Sequence, residues 1–161
     1  MPEQFVKLMQ ERRFRDQPTS ALLRDSIAQL GSEILSRLAR AGFPDSRPGH
    51  GYVMGHLMGG QGIRLTKLAE LARMTPQAMG ELVDNLESLG YVERRPDPSD
   101  RRAKLICVAP KGRASGAAAR AAVAEQEEKL RKLLGEADYR QLRALLARLI
   151  ENYPTVSADH S

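Results

Sequence analysis

Residues 65–113 have the sequence LTKLAELARMTPQAMGELVDNLESLGYVERRPDPSDRRAKLICVAPKGR, and this stretch decides the fold. Its first half carries two groups of apolar residues at helical spacing: Leu68, Leu71 and Ala72, then Met79, Leu82, Val83 and Leu86. Thr75 and Pro76 predict the start of the second helix, because a hydroxyl accepts from an unpaired amide and proline fits the first helical position. Gly90 predicts its end, and Thr66 is expected to cap the first helix as Thr75 caps the second.

The second half of this stretch changes to the two-residue period of β-strands. Residues 91–95 and 104–109 form short runs around the turn-rich residues 96–100, which predicts a β-hairpin with a long, basic tip. Between Tyr91 and Arg113 there are seven basic and three acidic residues, a local net charge of +4 in a chain whose formal net charge is +5. Because a merely solvated surface would mix both signs, this segment predicts a polyanionic partner.

Helices are predicted on both sides of this core. One long amphipathic helix begins at Thr19, another follows Pro48, and after Pro110 the chain is helical again until Pro154. The expected fold class is therefore mainly α with a small β-hairpin wing. The length of 161 residues and the 42% hydrophobic content suit a single domain over residues 1–161.

Several classes of protein are disfavoured by composition. No run approaches the ~18 apolar residues of a membrane helix, and no secretory signal is recognisable, so a cytoplasmic location is expected. The single cysteine, Cys107, excludes an internal disulfide and is expected to be a buried, inert thiol in the second wing strand. His50 and His56 lie about 240° apart around a helix, which disfavours a shared metal. No nucleophile and base stand in a catalytic pattern, so neither an enzyme nor a cofactor is expected.

A helix-turn-helix followed by a basic hairpin is the order of parts in a winged helix. The second helix enters the major groove of DNA, and arginine on the hairpin enters the narrow minor groove. Residues 65–113 resemble the DNA-binding core of the MarR family of bacterial regulators. The resemblance implies a homodimer on a pseudo-palindromic operator, with residues 19–42 and 111–153 as dimerisation helices and residues 47–110 as the DNA-binding lobe. Repression is the commoner outcome in that family.

The resemblance also assigns roles to individual residues. On the recognition helix the residues that face DNA are Thr75, Pro76, Gln77, Gly80 and Glu81. On the wing, Asp100 is expected to orient an arginine. Arg102 is expected in the minor groove, with Arg101 and Lys104 toward phosphates and Arg94 or Arg95 supporting the strand.

The recognition helix itself carries the wrong charge for phosphate binding. Residues 75–89 contain no lysine or arginine, whereas Glu81, Asp84 and Glu87 give a net charge of −3. Phosphate affinity is therefore expected from the wing, from Lys67 and Arg73, and from backbone amides at the helix start. Base contacts fall to Gln77 with adenine, to Pro76 or Ala78 with a thymine methyl, and to Glu81 with cytosine.

A small aromatic or carboxylate effector is a further implication of the resemblance. Arg47, His50, Tyr52 and His56 come from the segment that lines the effector cleft in the family. The competing interpretation is that Tyr52 and the neighbouring methionines belong to the core. A winged helix that binds proteins and not DNA is the alternative function.

Overall fold

The computed structural model describes Phe14, residues 16–60 and residues 62–153, and the side chain of Arg101 lies outside the described part. Within it the chain forms six helices: α1 (Thr19–Arg40), α2 (His50–Leu57), α3 (Leu65–Leu71), α4 (Pro76–Ser88), α5 (Pro110–Leu134) and α6 (Glu136–Asn152). The strands are β1 (Ile63–Arg64), β2 (Val92–Asp97) and β3 (Asp100–Val108). The predicted fold class, mainly α with a small β-hairpin wing, is confirmed.

The three strands form one antiparallel sheet in the order β1, β3, β2. Ile63 pairs with Ile106, and Val92 pairs with Val108. Strand β1 was not predicted, because two residues carry no periodic signal and only their pairing with β3 makes them a strand.

The predicted long tip of the hairpin is wrong. The strands continue to Asp97 and Asp100, so Pro98 and Ser99 alone form the turn. Asp97 closes this turn, since its Oδ1 accepts from the Ser99 amide at 2.8 Å and from the Ser99 hydroxyl at 2.6 Å. Arg101 and Arg102 consequently lie in strand β3.

Helix α4 has the ends that its sequence predicts. The Thr75 hydroxyl accepts from the Ala78 amide at 3.2 Å, and Pro76 occupies the first helical position. Gly90 has φ +77°, and the Tyr91 amide donates to the Leu86 carbonyl at 2.9 Å, as in a glycine-terminated helix. The prediction for Thr66 is wrong: α3 begins at Leu65, directly after β1, and Thr66 lies inside its first turn.

The core of the amino-terminal unit lies between the helix-turn-helix and the sheet. The chain divides into this compact unit, which extends to Ala122, and a second unit that begins at Val123. The core comprises Val53, Leu57, Leu68, Ala69, Met79, Val83, Leu86, Tyr91, Val92 and Ile106. Each large side chain buried in this way stabilises the fold by about 1.5–3 kcal/mol.

The second unit has its own internal contacts. Tyr139 is buried, its hydroxyl donates to Glu127, and the Arg143 guanidinium lies 3.1 Å from the same carboxylate. Glu136 and Asp138 occupy the first turn of α6, where negative charge suits the helix dipole. None of the described helices combines the length and apolar character that a bilayer span requires.

Candidate nucleic-acid interface

The exposed edge of α4 contains most of the residues predicted to face DNA. Met79, Val83 and Leu86 bury the opposite face. Four of these residues are exposed, namely Thr75, Pro76, Gln77 and Glu81. Gly80 is half-buried, and a Cβ added to it would lie 4.0 Å from the Leu65 side chain. Helix α4 therefore presents a short polar edge to solvent, beginning at its capped amino terminus.

The turn between α3 and α4 contains the one described non-glycine residue with a positive φ. Arg73 has φ 53°, and its amide donates to the Glu70 carbonyl at 3.0 Å. Its side chain is exposed and has no ion-pair partner within the described part of the chain. Lys67, predicted to join it in binding phosphate, is paired with Glu70 at 2.9 Å.

On the wing, two of the predicted cations are available for a ligand. Arg102 and Lys104 are exposed, and neither has an ion-pair partner among the residues described. The Asp100 carboxylate accepts from the Arg102 amide at 3.0 Å, so it supports the arginine through the backbone and not through the guanidinium. The Arg101 side chain lies outside the described residues.

An arginine of β1 holds the tip of the wing. The Arg64 Nε donates to Asp97 Oδ2 at 2.7 Å, and Arg64 Nη2 lies 3.7 Å from Asp100. Hydrogen bonds from Ser99, followed by the one from Arg64, lower the pKa of Asp97 to about 2. Sequence reasoning missed Arg64, because 33 residues separate it from Asp97.

The other two wing arginines are engaged within the chain. Arg95 is exposed and pairs with Glu93 at 2.5 Å. Arg94 Nη2 lies 2.6 Å from Asp84, and Nη1 contacts Glu87. Two of the three carboxylates on α4 are thus paired, and Glu81 has no partner within the described part of the chain.

The base of the recognition helix rests on a polar cluster that the sequence did not reveal. Lys111 Nζ donates to Asp45 Oδ2 at 2.7 Å and to the Leu89 carbonyl at 2.9 Å, and the Tyr91 hydroxyl donates to Asp45. The hydrogen bond from Lys111, followed by that from Tyr91, lowers the pKa of Asp45. This cluster ties the end of α4 to the segment before α2 and to the start of α5.

The four predicted effector residues do not share one environment. His50 is buried, with Nε2 2.9 Å from Asn85 Oδ1 and Nδ1 accepting from the Arg47 amide at 3.2 Å. Both ring nitrogens therefore serve the fold. Arg47 and His56 are exposed, and Tyr52 is 61% exposed, so it does not belong to the core of this chain.

A cavity of about 180 Å³ lies elsewhere in the same unit. It is lined by two arginines, Arg95 and Arg113, together with Leu57, Met58, Gly60, Cys107 and Val108. Cys107 is buried, as predicted. The described residues contain no group of three or more histidine, cysteine or acidic side chains that could hold a metal ion.

Comparison with known proteins agrees with this geometry. The family model described as MarR family matches residues 41–103. The chain is similar in structure to the transcriptional repressor CouR bound to a 23-mer DNA duplex, with 26% identity, 83% of this chain and 92% of that chain covered, and a TM-score of 0.70. It is also similar to the Staphylococcus aureus MepR–DNA complex, with 23% identity, 84% of this chain and 98% of that chain covered, and a TM-score of 0.71. The similarity to apo MarR from E. coli has 19% identity, covers 83% of this chain and 97% of that chain, and has a TM-score of 0.64. No curated protein matches the chain. The family match over residues 41–103, the capped helix α4 and the three-stranded wing make this part of the chain similar to the MarR family, and the chain has the winged helix-turn-helix fold of those regulators.

Proposed function

We propose that the chain is a sequence-specific repressor that binds double-stranded DNA as a homodimer. The observation that carries this proposal is the presence, in one compact unit, of an exposed capped helix edge and a wing with two cations, Arg102 and Lys104, that have no partner among the described residues. CouR and MepR, which have the same fold, are both solved with DNA. In this proposal α4 lies in the major groove and Arg102 enters the adjoining minor groove.

Specificity is assigned to the first two turns of α4. Gln77 is exposed and can donate to and accept from adenine, and the exposed ring of Pro76 can contact a thymine methyl. Glu81, unpaired among the described side chains, can accept from the amino group of cytosine. Arg102, Lys104 and Arg73 supply phosphate and minor-groove contacts that do not depend on base identity.

We infer the homodimer from apolar side chains that are exposed to solvent in the single chain. In α6 and the end of α5 the exposed apolar residues include Leu133, Leu142, Leu145, Leu149 and Ile150. A second copy would bury them, which is the usual meaning of a large exposed apolar surface. Two recognition helices would then meet half-sites ~34 Å apart, and occupation of a promoter would exclude other proteins.

Selection of bound sequences from a random duplex pool tests DNA binding directly. We expect a pseudo-palindrome. Replacing Arg102 and Lys104 together by alanine is expected to reduce the slope of log affinity against log salt by about 0.9 for each phosphate that the variant no longer neutralises. Arg140→Ala, which removes an exposed arginine of the second unit, is the matched control. An unchanged salt dependence with retained DNA affinity would refute the roles of Arg102 and Lys104, whereas a wild type that selects no duplex from the pool would favour the protein-binding alternative.

The dimer and the effector have separate tests. Leu149→Asp is expected to shift the mass measured by sedimentation from dimer to monomer, and a wild-type monomer would refute the dimer.

For the effector, the cavity between Arg95 and Arg113 suits a small carboxylate better than a larger ligand. Benzoate-type acids are expected to raise the unfolding temperature of wild type more than that of Arg113→Gln; equal shifts would refute this site.

A further inference from the structure

Arg94 connects the wing to the recognition helix through three hydrogen bonds. Its guanidinium contacts Glu87 and lies 2.6 Å from Asp84 Oδ1. Its backbone amide donates to Glu87 Oε1 at 3.0 Å. We name this set, Arg94 with Asp84 and Glu87, the wing–helix ion pairs. One residue of β2 thus binds two carboxylates on successive turns of α4.

The geometry keeps the arginine charged and in place. Its side chain is only 25% exposed, and a planar guanidinium engages two carboxylates through N–H donors that are held in a fixed geometry. Burial acts to lower the pKa of Arg94, but the hydrogen bonds with Asp84 and Glu87 outweigh it and raise the pKa above the usual value. Arg94 is therefore not available to a phosphate in this arrangement.

The wing–helix ion pairs matter more for a polyanionic ligand than for the fold. Asp84 is 68% exposed, and pairs with exposed carboxylates contribute little to stability. Two uncompensated carboxylates on a helix that enters a groove would, in contrast, lie within the ~8 Å screening length of the phosphates. Pairing also fixes β2 against α4, which sets the distance between wing and recognition helix.

We propose that Arg94 is a positioning residue for DNA binding, which acts by neutralising Asp84 and Glu87 and by holding the wing against α4. This inference rests on the proposed function. It assigns to Arg94 an indirect role, in place of the direct support of the DNA-contacting strand expected from the sequence. Arg94 acts on DNA only through the two carboxylates.

The test compares DNA affinities of three proteins: wild type, Arg94→Gln, and Arg94→Gln combined with Asp84→Asn and Glu87→Gln. Each is measured at 10 °C, far below unfolding, on one duplex selected with wild type. Arg94→Gln is expected to weaken binding at least ~10-fold, a loss of about 1.4 kcal/mol. Neutralising both carboxylates is expected to restore at least a third of the wild-type affinity. Arg140→Gln, which also breaks an exposed ion pair, is expected to bind as wild type does.

Each alternative outcome is distinguishable. An arginine that contacts phosphate directly would leave the triple variant as weak as Arg94→Gln, and this result would overturn the proposal. A purely structural role would lower the unfolding temperature without changing the affinity at 10 °C, which would also overturn it. If wild type retains no duplex from the random pool, the proposed function itself fails, and the role of Arg94 fails with it.

Discussion

Tyr91→Phe removes one hydroxyl from the cluster beneath the recognition helix and leaves everything else in place. Tyr91 is 1% exposed, and its hydroxyl donates to the Asp45 carboxylate. Lys111 Nζ lies 4.3 Å from the centre of the tyrosine ring, a contact that phenylalanine preserves. The substitution therefore removes the hydrogen bond to Asp45 together with the longer, 3.4 Å contact between the hydroxyl and Ser46 Oγ.

The expected loss in the free energy of unfolding is about 1.5 kcal/mol. A hydrogen bond to a charged group contributes roughly 1.5–3 kcal/mol, and the lower end applies because the Asp45 side chain is 31% exposed and water can replace the hydroxyl. For a chain of this size the unfolding temperature should fall by about 3–6 °C. The measurement is urea unfolding at pH 7 followed by circular dichroism, with linear extrapolation to water.

Tyr52→Phe is the control, because it removes the hydroxyl of an exposed tyrosine. It should leave stability within about 0.5 kcal/mol of wild type, as most surface changes do. If Tyr91→Phe stayed within the same limit, the hydroxyl would contribute nothing to the cluster and the reasoning would be refuted.

The same cluster predicts how stability depends on pH. Because the pKa of Asp45 is lowered on folding, its contribution is present above the ordinary value of 3.8 and is lost as pH falls through the lowered pKa. The pKa values of Tyr91, through burial, and of Lys111, through its hydrogen bond with Asp45, are both raised. Their contributions are present below about pH 10 and are lost as pH rises through the raised values. The difference in the free energy of unfolding between wild type and Tyr91→Phe should therefore become smaller at low pH and at high pH.

Four further substitutions test single features. Thr75→Ala removes the cap of α4 and should cost about 1 kcal/mol in urea unfolding. Gly112→Ala should cost about 3 kcal/mol, because its Cβ would lie 2.1 Å from the Tyr91 carbonyl oxygen; a stable variant would show that this close approach relaxes freely. Arg73→Gly relieves the strain of a left-handed non-glycine residue and should stabilise the fold by up to about 1 kcal/mol. The same substitution should weaken DNA binding, and a DNA affinity equal to that of wild type would argue against a phosphate contact. Wild type should lose stability through Asp97 as pH falls from about 3.8 toward 2, and Asp97→Asn should not show this part of the loss. If the free energy of unfolding of the two proteins fell in parallel with pH, the role of Asp97 in the turn would be contradicted.

The elements that could be predicted from sequence are those determined by local chemistry. The 3.6-residue period located α4, and the Thr75 cap and Gly90 located its ends, because each acts on amides within one turn of itself. The hairpin was located but its turn was not. Pro96 and Asp97 are common turn residues, yet here Asp97 accepts hydrogen bonds from Ser99 and ends a strand. Strand β1 exists only through pairing with residues some 40 positions later.

The partners of the charged residues could not be predicted, because the fold brings them together from distant positions. Asp45 lies 46 residues from Tyr91 and 66 from Lys111. The ion pairs of Arg94 with two carboxylates of α4 were missed for the same reason. A net charge of −3 for residues 75–89 is true of the sequence but does not describe the surface of α4, where Arg94 compensates two of the three carboxylates.

This compensation explains how α4, a helix without a single cation, could lie against DNA as the proposed function requires. At its amino terminus Pro76 has no amide hydrogen, and the Ala78 amide is bound to Thr75, which leaves the Gln77 amide as the donor of the first turn that a phosphate can reach. Gln77 is also the side chain best suited to a base edge. In the proposed function most of the phosphate affinity then comes from the wing and base recognition comes from α4, and Arg94 is a residue that holds the wing against this helix.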